Sequence, residues 1–403
     1  MSKSNTWGRA FAERVADYLE TLEEPEGVAY IHRDYCGHGL FHNHGVFRLC
    51  VVYDGHPAGP PNPKHPLEWD RREAFVAFLA EQSDASLSGA SPGHPGLQGG
   101  PPNNQRLTRA MVARQIMRGQ LGRLLRQEPT PKVWSDLVAL FCEWSDEGTR
   151  GDALQNALER AEAWPDASRL ATHPLTRLVF HHPPDPCVAL ARVFVFEHRP
   201  RFDHKNVARL LASISQEGAR PTELHLNHIH LEPARARELL TSSAWSGLLK
   251  LSVSDAQLSD DAVAALASAA WTSSLTHLTL THNAITDAGL IALCRSPHLR
   301  ALRALDLSQN PLGSPGVQRL LDSPLMDSLT HLRLPEGDTE AVRAMARCER
   351  LVNLQELTFP FSGDVDEEAM LDLLRAPQLP QPVREALTRA SQPDREDADP
   401  YGL

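Results

Sequence analysis

No apolar run in this sequence approaches the roughly 20 residues needed to cross a bilayer, so nothing in it predicts a membrane span. The six cysteines (Cys36, Cys50, Cys142, Cys187, Cys294, Cys348) include no C-x-x-C pair. Thiols scattered in this way read as reduced side chains of a cytoplasmic protein, not as a disulfide framework. Lysine is scarce, with only Lys3, Lys64, Lys132, Lys205 and Lys250 beside a much larger number of arginines. With abundant alanine and proline, that bias is a codon-level sign of a GC-rich bacterial genome. The formal net charge of −11 argues against a general binder of nucleic acid or of anionic membranes and leaves a basic protein partner open. Catalytic signatures are missing too: there is no G-x-S-x-G, no H-E-x-x-H and no P-loop. Gly37-His-Gly39 lacks the third glycine, the following helix and the basic residue of a phosphate loop. Arg9, Glu13, Arg14, Asp17 and Glu20 give the N-terminus a charged helical pattern that is not a secretory leader.

What the chain has instead is a period. The middle leucine of an L-x-x-L-x-L pattern falls at Leu224, Leu251, Leu278, Leu305 and Leu332, 27 residues apart, and Leu357 follows 25 residues on. Each has an apolar partner two positions later: Leu226, Val253, Leu280, Leu307, Leu334 and Phe359. The alternation predicts a short strand with one buried face. Asn283 and Asn310 lie where their strands turn away, and their amides suit backbone groups left unpaired by the bend. A helix follows in each unit. Asp260, Asp287 and Ser314 occupy equivalent positions at its start, each able to cap it, and Pro315 suits a first helical turn. Leu239, Leu266, Leu293 and Leu320 form a second column at the same period, facing inward from the helices.

On these residues, the chain from about 190 to 376 resembles leucine-rich repeats of the long, helix-containing type, similar to those of ribonuclease inhibitor. The resemblance implies an α/β solenoid with parallel strands on a concave face and helices on a convex face. Its last two units depart from the pattern, with Pro335-Glu-Gly337 and Pro360 after the strands and no asparagine. An earlier unit is suggested near Val193-Phe-Val195, 31 residues before Leu224.

Function in such an array resides between the leucines. The outward columns are polar and mixed in charge, with no aromatic anchor. His225, Ser252, His277, Thr279, Asp306, His331, Arg333 and Glu356 are the candidate binding residues. His277, His282 and His331 are placed to approach one another across neighbouring strands, which offers a metal site as one alternative to a solvated face.

Upstream, residues 1–87 read as a small α+β domain. A helix is expected over 6–23, strands over 28–32, 39–42 and 46–53 with a hairpin at Asn43-His44-Gly45, and a second helix over 67–82. Residues 88–104 are a Gly/Pro-rich linker, 105–170 a helical segment capping the repeats, and 392–403 an acidic tail expected to be disordered. Gly37-His-Gly39-Leu, the run from Phe78 to Leu87 and Asn104-Gln-Arg resemble a small domain of uncharacterised bacterial proteins, with no established activity. The densest chemical cluster is His32, Cys36, His38, His42 and His44. These are zinc-type donors, but their spacing matches no standard finger, and turn and edge roles explain the same residues.

The reading these features favour is a protein-interaction scaffold without catalysis or cofactor, binding a macromolecular partner, foremost a protein, through the concave strand columns. Two alternatives stand beside it. One is a metal-dependent enzyme or sensor at the N-terminus that the repeats deliver to a target. The other is an inhibitor or immunity protein that neutralises a basic toxin.

Overall fold

Leucines spaced two apart on an extended chain point to one side, and a 27-residue period returns that side to the same place once per unit. The result, in a computed structural model, is a seven-stranded parallel sheet in which consecutive strands are neighbours. The structure describes residues 6–22, 27–29, 36–53, 56–57, 67–82, 108–144, 146–170, 185–197, 204–216, 218–360 and 365–390. The chain divides into two units, Met1–Glu128 with Ala139–Arg160, and Pro129–Val138 with Ala161–Leu403. Among the described residues, no helix is long and apolar enough to cross a membrane.

In the first unit, α1 (Arg9–Glu20) buries Phe11, Ala12, Val15, Ala16, Tyr18 and Leu19 along one stripe. Strands β1 (Gly27–Ala29), β2 (Cys36–Asn43), β3 (Val46–Tyr53), β4 (His56–Pro57) and β5 (Leu67–Trp69) form an antiparallel sheet with β5 on β3. Asn43 pairs with Val46, which leaves a two-residue loop with φ 50° at His44 and 77° at Gly45. Two successive left-handed residues match the strand twist, and the glycine supplies the second at no steric cost. On α2 (Arg72–Glu81), Phe75 stacks on Phe47 with ring centroids 4.5 Å apart. Next comes α3 (Arg109–Leu124), which the sequence groups with the 105–170 segment. Its Val112 and Ile116 belong to the core of this first unit, and Arg109 and Arg123 lie over the rings of Phe11 and Tyr18. The apolar stripe of α3 thus contributes to the core of this first unit.

After α4 (Pro131–Glu143) and α5 (Glu147–Ala161), the second unit alternates strand and helix. Its strands are β6 (Val193–Glu197), β7 (Glu223–Asn227), β8 (Lys250–Ser254), β9 (His277–Thr279), β10 (Ala304–Asp306), β11 (His331–Arg333) and β12 (Glu356–Thr358). The helices between them are α6 (His204–Gln216), α7 (Pro233–Thr241), α8 (Asp260–Ser268), α9 (Asp287–Cys294), α10 (Ser314–Leu321) and α11 (Thr339–Arg347), with α12 (Glu367–Arg375) and α13 (Gln381–Ala390) after the last strand. Leu224, Leu251, Leu278, Leu305, Leu332 and Leu357 stand opposite one another in register and are all buried, as is the helix column Leu239, Leu266, Leu293 and Leu320. Burying a leucine contributes about 1.5–3 kcal/mol, against less than about 1 kcal/mol for an exposed ion pair. The leucines therefore set the register, and the outward residues are free to vary.

The first strand corrects the sequence expectation by one residue. Phe194 pairs with Leu224, and Val193 with Glu223, so the inward pair is Phe194 and Phe196, both buried. A one-residue slip turns the other face inward, and the two rings fill the inward positions best. This edge is extended by a single parallel bridge from Leu170 to Val193, whose carbonyl at Leu170 accepts the Trp134 indole N–H. Trp134 and Trp164 pack edge to face there, 6.2 Å apart. At the other end, Leu379, Val383 and Leu387 are buried around α13, which packs against β12.

Two ladders of side chains sew the units together. Buried Asn310 donates to the carbonyls of Leu280 (2.8 Å), Leu307 (2.9 Å) and Ser308 (3.3 Å) and accepts from the amides of Asn283 (3.2 Å) and Ile285 (3.3 Å). Asn283 does the same one unit earlier, for Val253, Thr281, Ala256 and Leu258. The second ladder runs the other way and corrects the capping expectation. Asp260 and Asp287 do not cap their own helices. Asp260 accepts from the amides of Thr286 (2.8 Å) and Gly289 (3.0 Å), at the start of the next helix, and Asp287 from Gly313 (2.8 Å). Ser314 continues the row by donating to the Asp338 carboxylate at 2.5 Å. Helix starts in a solenoid stack side by side, so the unpaired N–H groups nearest a first-turn carboxylate are its neighbour's. Close approach explains two glycines: a Cβ on Gly289 would lie 2.5 Å from Asp260 Oδ1, and one on Gly316 2.3 Å from Asp287 Oδ1.

Candidate binding face of the repeats

The register that buries the leucines lays the outward side chains in two lines across the sheet. One runs Glu223, Lys250, His277, Ala304, His331, Glu356; the other runs His225, Ser252, Thr279, Asp306, Arg333, Thr358. Neighbouring strands are about 4.8 Å apart, close enough for ion pairs between units. At one end, Lys250 Nζ lies 2.7 Å from Glu223 Oε1, and His225 Nε2 lies 3.5 Å from the same carboxylate. Ser252 hydrogen-bonds Asn227 there. At the other end, Arg333 reaches Glu356 at 2.8 Å and Asp306 at 4.0 Å. The Glu356 hydrogen bond, more than the burial opposing it, raises the Arg333 pKa, so this cation is fixed.

Between the ends the line of long side chains drops to a methyl. Ala304 stands opposite His277 on one side and His331 on the other, leaving a cleft of about 210 Å³. It is bordered by His277, Thr279, Asp306, His331, Arg333 and Glu356. The structure therefore gathers six of the sequence candidates into one site and leaves His225 and Ser252 beside Glu223. The three-histidine expectation does not hold. His282 sits in the turn after its strand at φ 52°, and the strand of Ala304 stands between those of His277 and His331, which are two spacings, about 10 Å, apart. No group of three or more His, Cys, Asp or Glu is arranged to hold a metal among the described residues.

Sequence reasoning missed what holds the two imidazoles. Thr276 Oγ1 lies 2.9 Å from His277 Nδ1, and Thr330 Oγ1 lies 2.9 Å from His331 Nδ1. Each hydroxyl has one proton, and each is committed to a backbone carbonyl, that of Leu249 at 2.9 Å and Arg303 at 3.1 Å. The imidazole Nδ1 must then be the donor to the hydroxyl, which places the lone pair of the neutral ring on Nε2. Burial first, then Lys250 and His331, push the His277 pKa down, against Glu223. The signal was in the sequence: the tripeptide Thr-His-Leu occurs at 276–278 and again at 330–332, two periods on.

Of the N-terminal candidates, His32 and the side chains of Cys36 and His38 lie outside the described residues. His42 rests on the Phe47 ring at 4.5 Å, and His44 is exposed at the hairpin tip. Both described histidines have the packing and turn roles that need no ligand.

A family model described as "Leucine Rich repeat" matches residues 273–294 and 298–321, the two units that carry Asn283 and Asn310. No curated protein matches the sequence. Among solved structures, the tropomodulin C-terminal domain of Caenorhabditis elegans is similar over 42% of this chain and 90% of its own, at 16% identity and a TM-score of 0.28. An internalin of Listeria monocytogenes is similar over 48% of this chain, at 14% identity and a TM-score of 0.29. The chain spans 61% of that internalin's length. Likenesses this distant decide nothing about the site. The in-register parallel strands, the buried leucine columns and the two matched units agree: this stretch of the chain is built of leucine-rich repeats.

Proposed function

We propose that the repeats form a protein-interaction scaffold without catalysis of its own, and that the outward face of the strands, concave in this fold, receives a protein partner. The carrying observation is the pair of polar lines across the sheet, held in place by ion pairs at both ends. Side chains fixed before binding lose little freedom on contact, and they stand on strands whose other face is buried core.

The test is affinity purification of tagged protein from its native cell, followed by mass spectrometry. Asp306→Lys with Arg333→Glu reverses two charges of the face, and Arg319→Glu reverses one exposed charge on α10. Wild type and R319E are expected to recover the same partner, and D306K/R333E to lose it with an unchanged circular dichroism spectrum. Recovery of that partner by the double variant overturns the strand face as the binding surface.

A further inference from the structure

Resting on that scaffold reading, we infer that the cleft over Ala304 is the seat of a single arginine side chain from the partner, held between Nε2 of His277 and Nε2 of His331 with the Asp306 carboxylate alongside. The chemistry of the lining is one-sided. The Nδ1 atoms are tied to Thr276 and Thr330, so both neutral rings present acceptors. Asp306 keeps Oδ1 for the Ser308 amide at 3.0 Å, while its Oδ2 lies 4.0 Å from Arg333. The cation of Arg333 is already spent on Glu356. With both imidazoles neutral, two carboxylates and one guanidinium leave the cleft with one net negative charge. A carboxylate or phosphate entering it meets two lone pairs and two anions, so the occupant has to be a donor and a cation.

Size selects arginine over lysine. An ammonium bridging two acceptors spans about 6 Å, whereas a guanidinium with a hydrogen bond at each outer nitrogen spans about 8 Å. The strands that carry the two histidines are about 10 Å apart, a separation nearer the span of the longer fork. Any larger residue in place of Ala304 would occupy that path. The charged groups facing the cleft are Lys250 and Glu223, paired together on β8 and β7, Asp306 on β10, Arg333 on β11 and Glu356 on β12.

The experiment uses the full chain labelled with 15N-histidine. Ring-nitrogen resonances are assigned with His277→Gln and His331→Gln, and the probes are N-acetyl-arginine amide, its uncharged analogue N-acetyl-citrulline amide, and N-acetyl-aspartate amide. At pH 7.5 the arginine probe is expected to shift both Nε2 resonances in the millimolar range natural to a one-residue ligand (about 4 kcal/mol or less). Citrulline should bind about tenfold more weakly or worse. Ala304→Leu should abolish the shifts. The seat is overturned if arginine moves neither resonance, if the aspartate probe moves them as much, or if A304L responds like wild type. The scaffold reading fails separately, when D306K/R333E retains the partner. A variant A304L that ignores arginine yet retains the partner confines the seat to the arginine probe and sinks it as part of the interface.

Discussion

Asn310→Ala removes the side chain that joins two units, and its cost follows from five hydrogen bonds. Two of them, at 3.3 Å, are long and contribute little. The other three, at 2.8, 2.9 and 3.2 Å, are worth about 1 kcal/mol each, and leaving the buried Leu280 and Leu307 carbonyls without this donor adds about 1–2 kcal/mol. The sum, about 4–5 kcal/mol, is at the far end of what single substitutions cost. Thr279→Ala, on the outward face, should stay within about 0.5 kcal/mol. Asn310→Asp is expected to be as damaging as the alanine at pH 7, because a carboxylate keeps the two amide donors but faces the carbonyl oxygens of Leu280, Leu307 and Ser308. Urea unfolding measures the total, and native-state hydrogen exchange at the amides of Asn283 and Ile285 places it, since those amides lose their acceptor. A loss below about 1 kcal/mol, with exchange at both amides unchanged, refutes the idea that the asparagine amide seals the junction.

Two further perturbations probe the second ladder. Gly316→Ala drives a Cβ into Asp287 Oδ1 and should cost about 1–3 kcal/mol; in a double-mutant cycle with Asp287→Ala, measured by thermal unfolding, the pair should cost less than the sum of its members, and strict additivity would show that the carboxylate is not the obstacle. The Asp338 carboxyl is held below its usual pKa first by the Ser314 hydroxyl and then by the Ala341 amide. A depressed folded-state pKa stabilises above the unfolded value and is lost as pH falls through the folded one. Ser314→Ala should therefore lower the melting temperature at pH 7, and the gap to wild type should close below about pH 4; a gap that persists unchanged at pH 3 would contradict this.

Much of the solenoid is legible in the sequence because burial imposes identity: Leu224 through Leu357 occupy one apolar column, and only a fixed spacing keeps them there. What escaped has a common physical cause. Phe194 serves as an anchor without being leucine and stands 30 residues before Leu224, so the spacing pointed to its neighbour. Asp260 and Asp287 look like caps for the helices they begin, yet their partners are 26 and 29 residues away, adjacent only after the units stack. Likewise α3 carries an amphipathic stripe that is the same in sequence whichever core it joins. The candidate face was half legible. The columns follow from strand alternation, but the tautomer of His277 and His331 depends on hydroxyls whose protons are committed to carbonyls of the preceding unit. Residues 392–403 and the His32, Cys36 and His38 side chains lie outside the described residues.

The opposed ladders have a consequence for how such a chain changes over generations. Asn310 reaches back to complete the unit before it, and Asp260 and Asp287 reach forward to complete the one after. A duplication or deletion of one whole period within the stretch they serve, wherever its endpoints fall, restores an asparagine behind and an aspartate ahead of every junction, so no buried group loses its partner. The ends lack this freedom: the bridge from Leu170 to Val193 closes one, and α13 packed on β12 closes the other. The middle of the array is where its length, and with it the number of outward residues, is open to inheritance by copying.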